Sequence, residues 1–393
     1  MQVMIVGAGE CGVRAAFSLR EAGFDGEITI LGSERQLPYE RPPMSKSYTS
    51  EPRLIRAAAD YKAARINLRL GVEVEAIHPA TKQVQAGGEA LRYDKLLIAT
   101  GARARTEPAF TGCHTLRTAD EAVALMPRLA HGQRVGIIGA GSIGLELSAT
   151  ARQAGADVSV FQVGPQVLAR AVPQQIADLV ADRHRAEGVR LHLDVAVIAA
   201  DATSITLAGG ERLTFDTVIA GIGSVPNIEL AVQAGLRVEN GILVDHSLRT
   251  SDPDIFAAGD CCNFPWRGKQ LRLESWRAAQ DQGAHAAAAM LGADTAYDAL
   301  PWFWSDQYDL TLQVAGLFDP RLPIHGRATG PNGRLVFQCD ASGELAAVAG
   351  IGVANDLAKD LRILEKLIER RAKVLPSVVS DPSVALKSLL RAA

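Results

Sequence analysis

The sequence predicts an α/β protein: two copies of a nucleotide-binding βαβ unit, then a small α+β domain. Three observations carry this reading. Val3-Met4-Ile5-Val6 runs straight into a G-x-G-x-x-G formed by Gly7, Gly9 and Gly12. The pattern returns as Val135-Gly136-Ile137-Ile138 followed by Gly139, Gly141 and Gly144. After residue 300 the character changes, and aromatics concentrate in Pro301-Trp302-Phe303-Trp304-Ser305-Asp306-Gln307-Tyr308, in a chain that is only 5% aromatic. One glycine turn is common in any α/β protein. Two complete units in one chain imply two dinucleotide sites.

Each unit has a physical rationale. Four apolar residues make a parallel strand buried on both faces. The first glycine allows the tight turn, the second lets a pyrophosphate approach the backbone, and the third lets helix and strand pack closely. A helix-like run follows each turn, to Gly23 and to Gly155. The second strand of the first unit, Ile28–Leu31, ends near Glu34, about 20 residues past the glycines, where a carboxylate can accept ribose hydroxyls. The equivalent strand of the second unit, Val158–Phe161, ends at Gln162. Phe161-Gln162-Val163-Gly164-Pro165 offers neither a carboxylate for a ribose 2′-hydroxyl nor an adjacent Arg for a 2′-phosphate, so a modest preference for NADH is expected.

Composition bounds the rest. The 393 residues suffice for two or three domains, and 48% hydrophobic with 22% charged residues fits a globular α/β protein. A net charge of −3 argues against nucleic acid as a principal partner. No apolar run reaches the ~18 residues of a membrane span. The chain enters a strand at once, with no signal or transit pattern, so a cytoplasmic location without membrane attachment is expected. Cys11, Cys113, Cys261, Cys262 and Cys339 form neither a disulfide framework nor a C-x-x-C pair. Cys261-Cys262 reads as two buried small residues.

Three prolines in six residues make Leu37–Lys46 a rigid loop. Its Arg41 and Lys46 are either solvated surface cations or cations held beside a pyrophosphate or flavin; the acid-tipped strand before them favours the second. Short strands are expected at Leu68–Leu70, Glu73–Ile77, Lys82–Val84 and Tyr93–Ile98. Ala99-Thr100-Gly101 then brings small residues to a strand end where backbone can approach a cofactor. Val-Ile-Ala-Gly-Ile-Gly at 218–223, ending at Gly223, repeats that feature. Thr250–Asp260 returns to the first domain as a short strand ending in Gly259-Asp260. Asp260 is either a turn cap or a carboxylate on the ribitol hydroxyls of FAD. Glu274-Ser275-Trp276 opens an alanine-rich helix through Leu291. Strands follow at Leu310–Ala315, Arg334–Gln338 and Leu345–Ile351, and an amphipathic helix from about Leu357 to Arg371. Trp302 reads as core or an interface anchor, Trp304 as the same or as a stack against a cofactor.

These motifs together resemble the FAD-dependent ferredoxin reductases of bacterial oxygenase systems, related to putidaredoxin and rubredoxin reductases. The likeness rests on Arg41-Pro42-Pro43-Met44-Ser45-Lys46, Gly259-Asp260, Glu274-Ser275-Trp276 and the Trp302–Tyr308 motif, in order along the whole chain. It implies a glutathione-reductase-like fold with two Rossmann-like domains: an FAD domain (1–105 and 246–299), an NAD(P) domain (106–245) and a C-terminal domain (300–393) over the flavin. It implies that Gly7, Gly9, Gly12 and Glu34 hold the adenosine half of FAD. Arg41, Lys46, Val74, Thr100, Gly101, Arg117, Asp260 and Trp276 would contact the rest of that nucleotide. Gly139, Gly141, Gly144 and Glu146 would meet the nicotinamide dinucleotide. Gln162 stands where the family usually has Glu, and Ala278 where it often has Asn.

The resemblance also implies the chemistry. NAD(P)H would reduce FAD, and the flavin would pass single electrons to a [2Fe–2S] ferredoxin or similar carrier, the enzyme being monomer or homodimer. Lys46 and Glu146 would lie near the flavin–nicotinamide junction, and Trp304 near the flavin edge where electrons leave. A surface lysine and a helix-face glutamate are the plain alternatives. No Cys falls between 12 and 112, which disfavours a dithiol relay. The competing functions are an NADH oxidase or diaphorase reducing oxygen or quinone, and a low-turnover nucleotide-bound interaction protein. On the C-terminal helix, Lys359, Arg362, Lys366, Arg370 and Arg371 fall on or near one face. They form either a docking surface for an acidic ferredoxin or a solvated face diluted by Asp360, Glu365 and Glu369.

Overall fold

The computed structural model describes residues 1–47, 52–330, 333–354 and 356–391. The chain divides into two compact units. The first comprises Met1–Pro43, Pro52–Arg103 and Ser224–Ala299, and the second the described residues of Met44–Glu51, Ala104–Gly223 and Leu300–Ala393.

In the first unit, five parallel strands lie in the order Ile255–Ala257, Lys95–Ile98, Gln2–Val6, Glu27–Gly32, Ile66–Leu70. The central strand is buried from Val3 to Val6, as a strand covered on both faces requires. Helix Glu10–Glu21 follows the glycine turn and packs against helix Trp276–Met290. Gly283 makes their close approach possible, because a Cβ there would stand 2.5 Å from the Cys11 carbonyl oxygen. An antiparallel meander, Val74–His78, Gln83–Ala86 and Glu89–Arg92, completes the unit. Tyr93 is expected in a strand but lies in the turn before Lys95–Ile98. Its N–H bonds back to the Lys82 carbonyl, and the Asp94 carboxylate takes the Gln2 N–H at 2.6 Å. Those bonds bend the chain between meander and sheet.

The second unit repeats the plan. Four parallel strands lie in the order Arg190–His192, Asp157–Phe161, Arg134–Ile138, Thr217–Ala220, with a meander of Val197–Ala200, Ser204–Leu207 and Arg212–Thr214. Residues 300–391 add a five-stranded antiparallel sheet in the order Trp302–Gln307, Leu310–Gly316, Leu345–Val353, Gly333–Cys339, His325–Arg327. The aromatic stretch is thus a strand, Trp302–Gln307. Val314, Val336 and Ala349 of this sheet share one hydrophobic core with Leu145, Val160 and Val180. Helix Ala358–Glu369 covers the sheet through Leu361, Leu364, Leu367 and Ile368. Gly350 lies beneath it, where a Cβ would meet Leu361 Cδ1 at 2.9 Å.

The proline-rich segment departs from its expected loop. Its last residues form a helical turn, Pro43–Lys46. Pro43 opens the turn, where the missing N–H costs nothing. Met44 and Ser45 are buried, so the turn fixes Lys46 rather than leaving it on a solvated tether.

Candidate functional site

The two glycine turns are near-copies. Gly7 and Gly139 have φ of +119° and +100°, which a side chain rarely adopts. Their N–H groups bond to Leu31 and Phe161, the last apolar residues of the neighbouring strands, at 2.8 Å each. A Cβ on Gly12 would stand 2.0 Å from the Gly7 carbonyl oxygen, and one on Gly144 2.1 Å from that of Gly139. Gly9 and Gly141 differ, since nothing lies within 4 Å of a Cβ built there. They are also the N-caps of the two helices, and neither helix start carries a side-chain cap. Free amide donors and the positive end of the helix dipole therefore face open space, as an anion site requires. Gly141→Ala is expected to leave the thermal unfolding midpoint unchanged yet weaken dinucleotide binding more than about tenfold by titration, the added methyl standing where a phosphate approaches. Gly144→Ala is expected to lower the midpoint itself, because backbone must move.

In the first unit, Glu34 follows strand Glu27–Gly32. Its carboxylate receives Arg41 Nη2 at 2.7 Å and the Tyr39 hydroxyl at 2.5 Å, and Arg41 also lies over the Tyr39 ring. The Arg41 cation is thereby paired and held. A carboxylate has about four lone-pair positions, so Glu34 keeps room for ribose hydroxyls. Thr100 and Gly101 follow strand Lys95–Ile98, with the Thr100 hydroxyl on the Asn227 carbonyl at 2.7 Å. Asp260 follows Gly259, whose φ is +81°, and its carbonyl receives Arg272. Trp276 opens its helix, and Gln280, four residues on, donates to the Glu10 carboxylate at the glycine turn. Val74 opens the meander.

Arg117 belongs to the second unit, where the Glu121 carboxylate takes its backbone N–H at 2.7 Å. Gln162 turns its Oε1 to the Ala140 N–H at 3.0 Å. That contact orients Nε2 as a donor, able to meet a ribose hydroxyl or a 2′-phosphate. Gly223, with φ of +108°, has Arg170 Nη2 3.6 Å from its Cβ position; Arg170 is exposed and escaped the sequence reading.

The second unit also assembles a buried polar cluster. Helix Ser142–Gln153 is buried continuously from Gly144 to Ala151, so Glu146 is no surface residue; its side chain is 4% exposed. A charge there is tolerable only if paired and hydrogen-bonded. Lys46 Nζ and the Ser45 hydroxyl both bond to it, as does the Ser305 hydroxyl at 2.6 Å. Thr150 Oγ1 fastens the Ser45 carbonyl at 2.8 Å. The Lys46 ammonium also lies 5.5 Å from the Trp304 ring centroid, a cation–π distance. Trp304 stacks on Trp302 and gives its Nε1–H to Asp306 at 2.9 Å. The three candidate catalytic residues, Lys46, Glu146 and Trp304, thus meet in one cluster.

Ser45, Ser305, Gln307 and His184 extend this cluster and were not singled out from sequence. Ser45, Ser305 and Gln307 lie inside the motifs quoted above. His184 carried a signal of its own: it interrupts the apolar stripe Ile176, Ala177, Val180, Ala181 of helix Gln174–Ala186.

All five cysteines are free. Burial pushes every thiol upward, Cys113 to about 11. At neutral pH none is a thiolate, the form needed for disulfide exchange.

Comparison with known proteins gives the family and the fold. A family model described as pyridine nucleotide-disulphide oxidoreductase matches residues 1–283, and one described as reductase C-terminal matches residues 302–390. The ferredoxin–NAD(+) reductase component of the anthranilate 1,2-dioxygenase system of Burkholderia cepacia is 40% identical, covering 98% of each chain. Rhodocoxin reductase of Rhodococcus erythropolis is 42% identical, over 81% of this chain and 78% of that one. A crystal structure of the covalent putidaredoxin reductase–putidaredoxin complex matches with a TM-score of 0.93 at 35% identity, covering 100% of this chain and 98% of that one.

Proposed function

The chain belongs to the pyridine nucleotide-disulphide oxidoreductases that carry the reductase C-terminal domain, and we propose that it passes electrons from NADH through FAD to a [2Fe–2S] ferredoxin or rubredoxin feeding an oxygenase or cytochrome P450. One observation carries the reading: two uncapped glycine turns, each with an open phosphate position, in a chain whose thiols are all buried or held protonated. Two nucleotides and no dithiol leave direct transfer from flavin to partner.

The residues of the first unit fit FAD. Gly9 leaves the cradle for the pyrophosphate, the paired Arg41 and Glu34 suit phosphate and ribose, and Asp260 suits the ribitol hydroxyls. When bound, FAD supplies the chemistry, taking a hydride from NADH and releasing electrons singly. The chain's own work is binding and positioning. Gly141 and Gly144 seat the nicotinamide dinucleotide, and Gln162 donates to its ribose. Because that donor suits hydroxyl and phosphate alike, the preference for NADH over NADPH is modest. Glu146 holds the Lys46 ammonium at the nicotinamide–flavin junction, where a fixed cation favours developing negative charge. Trp304, under that cation, marks the exit toward the partner. No helix among the described residues is long and apolar enough to cross a membrane, and the enzyme is assigned to the cytoplasm. Anaerobic NADH titration of the yellow protein, followed by addition of a [2Fe–2S] ferredoxin, tests the function. In a parallel aerobic steady-state assay, ferredoxin reduction much faster than oxygen consumption is expected; the reverse would make it an oxidase.

The partner surface is assigned to helix Ala358–Glu369. Lys359, Arg362, Lys366 and Arg370 are exposed. Arg371 lies past the helix end and pairs with Glu344 at 3.0 Å. Arg362→Glu with Lys366→Glu is expected to raise the KM for ferredoxin about tenfold and flatten its salt dependence. Reduction of a neutral quinone should not change; equal loss with both acceptors would refute the assignment.

A further inference from the structure

We propose that Ser305, Gln307 and His184 are positioning residues: a buried, one-way hydrogen-bond relay that fixes the Glu146 carboxylate and, through it, the Lys46 ammonium. The proposal rests on the reading of Lys46 and Glu146 given above.

The geometry is continuous. Ser305 and Gln307 are two apart on strand Trp302–Gln307, so they share one face. Ser305 Oγ reaches Glu146 at 2.6 Å, and Gln307 Nε2 donates to Ser305 Oγ at 3.0 Å. His184 Nε2 stands 2.8 Å from Gln307 Oε1. His184 Nδ1 faces the Tyr308 hydroxyl at 3.3 Å and the Ser148 hydroxyl at 3.5 Å. Ser305, Gln307 and His184 are 1%, 5% and 0% exposed, so bulk water does not compete for these bonds; the cavity they line with Tyr308 is about 10 Å³, room for about one water at most.

Donor arithmetic gives the relay its direction. The Gln307 carbonyl accepts only, so His184 carries its proton on Nε2 and accepts on Nδ1 from Tyr308 or Ser148. The Gln307 amide group then fills a Ser305 lone pair, leaving the single Ser305 proton aimed at Glu146. Every donor points the same way, toward the carboxylate. Burial lowers the His184 pKa to about 4, so the ring is neutral near pH 7, as this tautomer requires. The far end is anchored as well. Tyr308 has φ of +59° in the turn of the hairpin, its ring meets His184 edge-on, and Arg183 lies over that ring while pairing with Asp309 and Glu187. Apolar side chains would fill this volume with less desolvation cost. A chain of amide, imidazole and hydroxyl is what a carboxylate of fixed orientation needs.

Two measurements test the relay. In protein labelled with ¹⁵N-histidine, the His184 signal, assigned by its loss in His184→Gln, should report a neutral Nε2–H ring at pH 7. In Gln307→Leu that tautomer preference should disappear. An Nδ1–H ring in the unmutated protein would overturn the direction of the relay, whatever Glu146 does. The second measurement is a double-mutant cycle on the anaerobic rate of flavin reduction by NADH. Ser305→Ala should slow it about tenfold, the loss of one buried donor to a charged group. FAD content and the Kd for NADH should hold. In a Glu146→Gln background, Ser305→Ala should cost nothing further. Equal losses in both backgrounds would make Ser305 a packing residue and defeat the proposal. If Glu146→Gln alone leaves reduction unchanged, the junction role of Glu146 fails, and the tautomer result still decides the relay.

Discussion

Lys46→Met is expected to slow flavin reduction by NADH on the order of 100-fold while FAD stays bound. The magnitude follows from what the ammonium does. A preorganised donor or charge aimed at developing negative charge is worth about 10²–10³ in rate where water is excluded. Lys46 is held from two sides, by the Glu146 carboxylate and by the face of Trp304. Its side chain is 17% exposed against 4% for Glu146, so neither charge is well screened. Methionine keeps a long apolar stem against Trp304 but removes the charge. It also strands a buried carboxylate with only the Ser45 and Ser305 hydroxyls, and breaking a buried pair from one side costs about 3–5 kcal/mol. Adding Glu146→Gln should therefore recover much of the lost stability and none of the lost rate. Stopped-flow absorbance of the flavin, with unfolding measured in parallel, separates the two effects. Unchanged flavin reduction in Lys46→Met would remove the lysine from the chemistry.

The contrast between what was legible in the sequence and what was not is physical. The glycine turns were legible because they are local: strand, turn and helix lie within one stretch, and each glycine has a backbone reason to be there. The parallel sheets followed from their apolar runs. Lys46 and Glu146 were joined only through a family resemblance. The bond itself spans a hundred residues, and no periodicity in either segment encodes it. The helical turn Pro43–Lys46 was hidden because proline at a first helical position looks the same as proline in a loop. Strand Trp302–Gln307 was hidden because three aromatics are followed there by three polar residues, with no period-two alternation to mark an apolar face. Its inward residues are Ser305 and Gln307, whose partners are Glu146 and His184. A polar residue pointing into a core reads as exposed until its partner is known, and those partners lie on helices of the other sheet system. Arg371 shows the converse, since spacing set it on the helix face while the helix ends at Glu369 and its guanidinium pairs with Glu344.

His184 should make the stability of the protein fall as pH drops from about 6.5 to about 4, by about 3 kcal/mol in total. The ring is fully buried, and burial is the main reason its pKa lies near 4, against an ordinary value of 6.5. The bond to Gln307 and the charge of Glu187 pull the other way, while Arg183 adds to the lowering. Between those two pH values the unfolded chain binds a proton at this position and the folded chain does not, so protonation favours unfolding. The contribution is fully present above pH 6.5 and is exhausted once pH falls below 4. Carboxylates also titrate in this range, so the test is a difference. Urea unfolding, followed by tryptophan fluorescence, should be run from pH 4 to pH 8 on the protein and on His184→Gln. Glutamine can still donate to the Gln307 carbonyl but carries no titrating ring. The two stability curves should run parallel above pH 7 and converge toward pH 4, with the native curve the steeper by up to about 1.4 kcal/mol per pH unit. Curves that stay parallel down to pH 4 would mean that His184 titrates alike in the folded and unfolded chains, and that its ring is open to water.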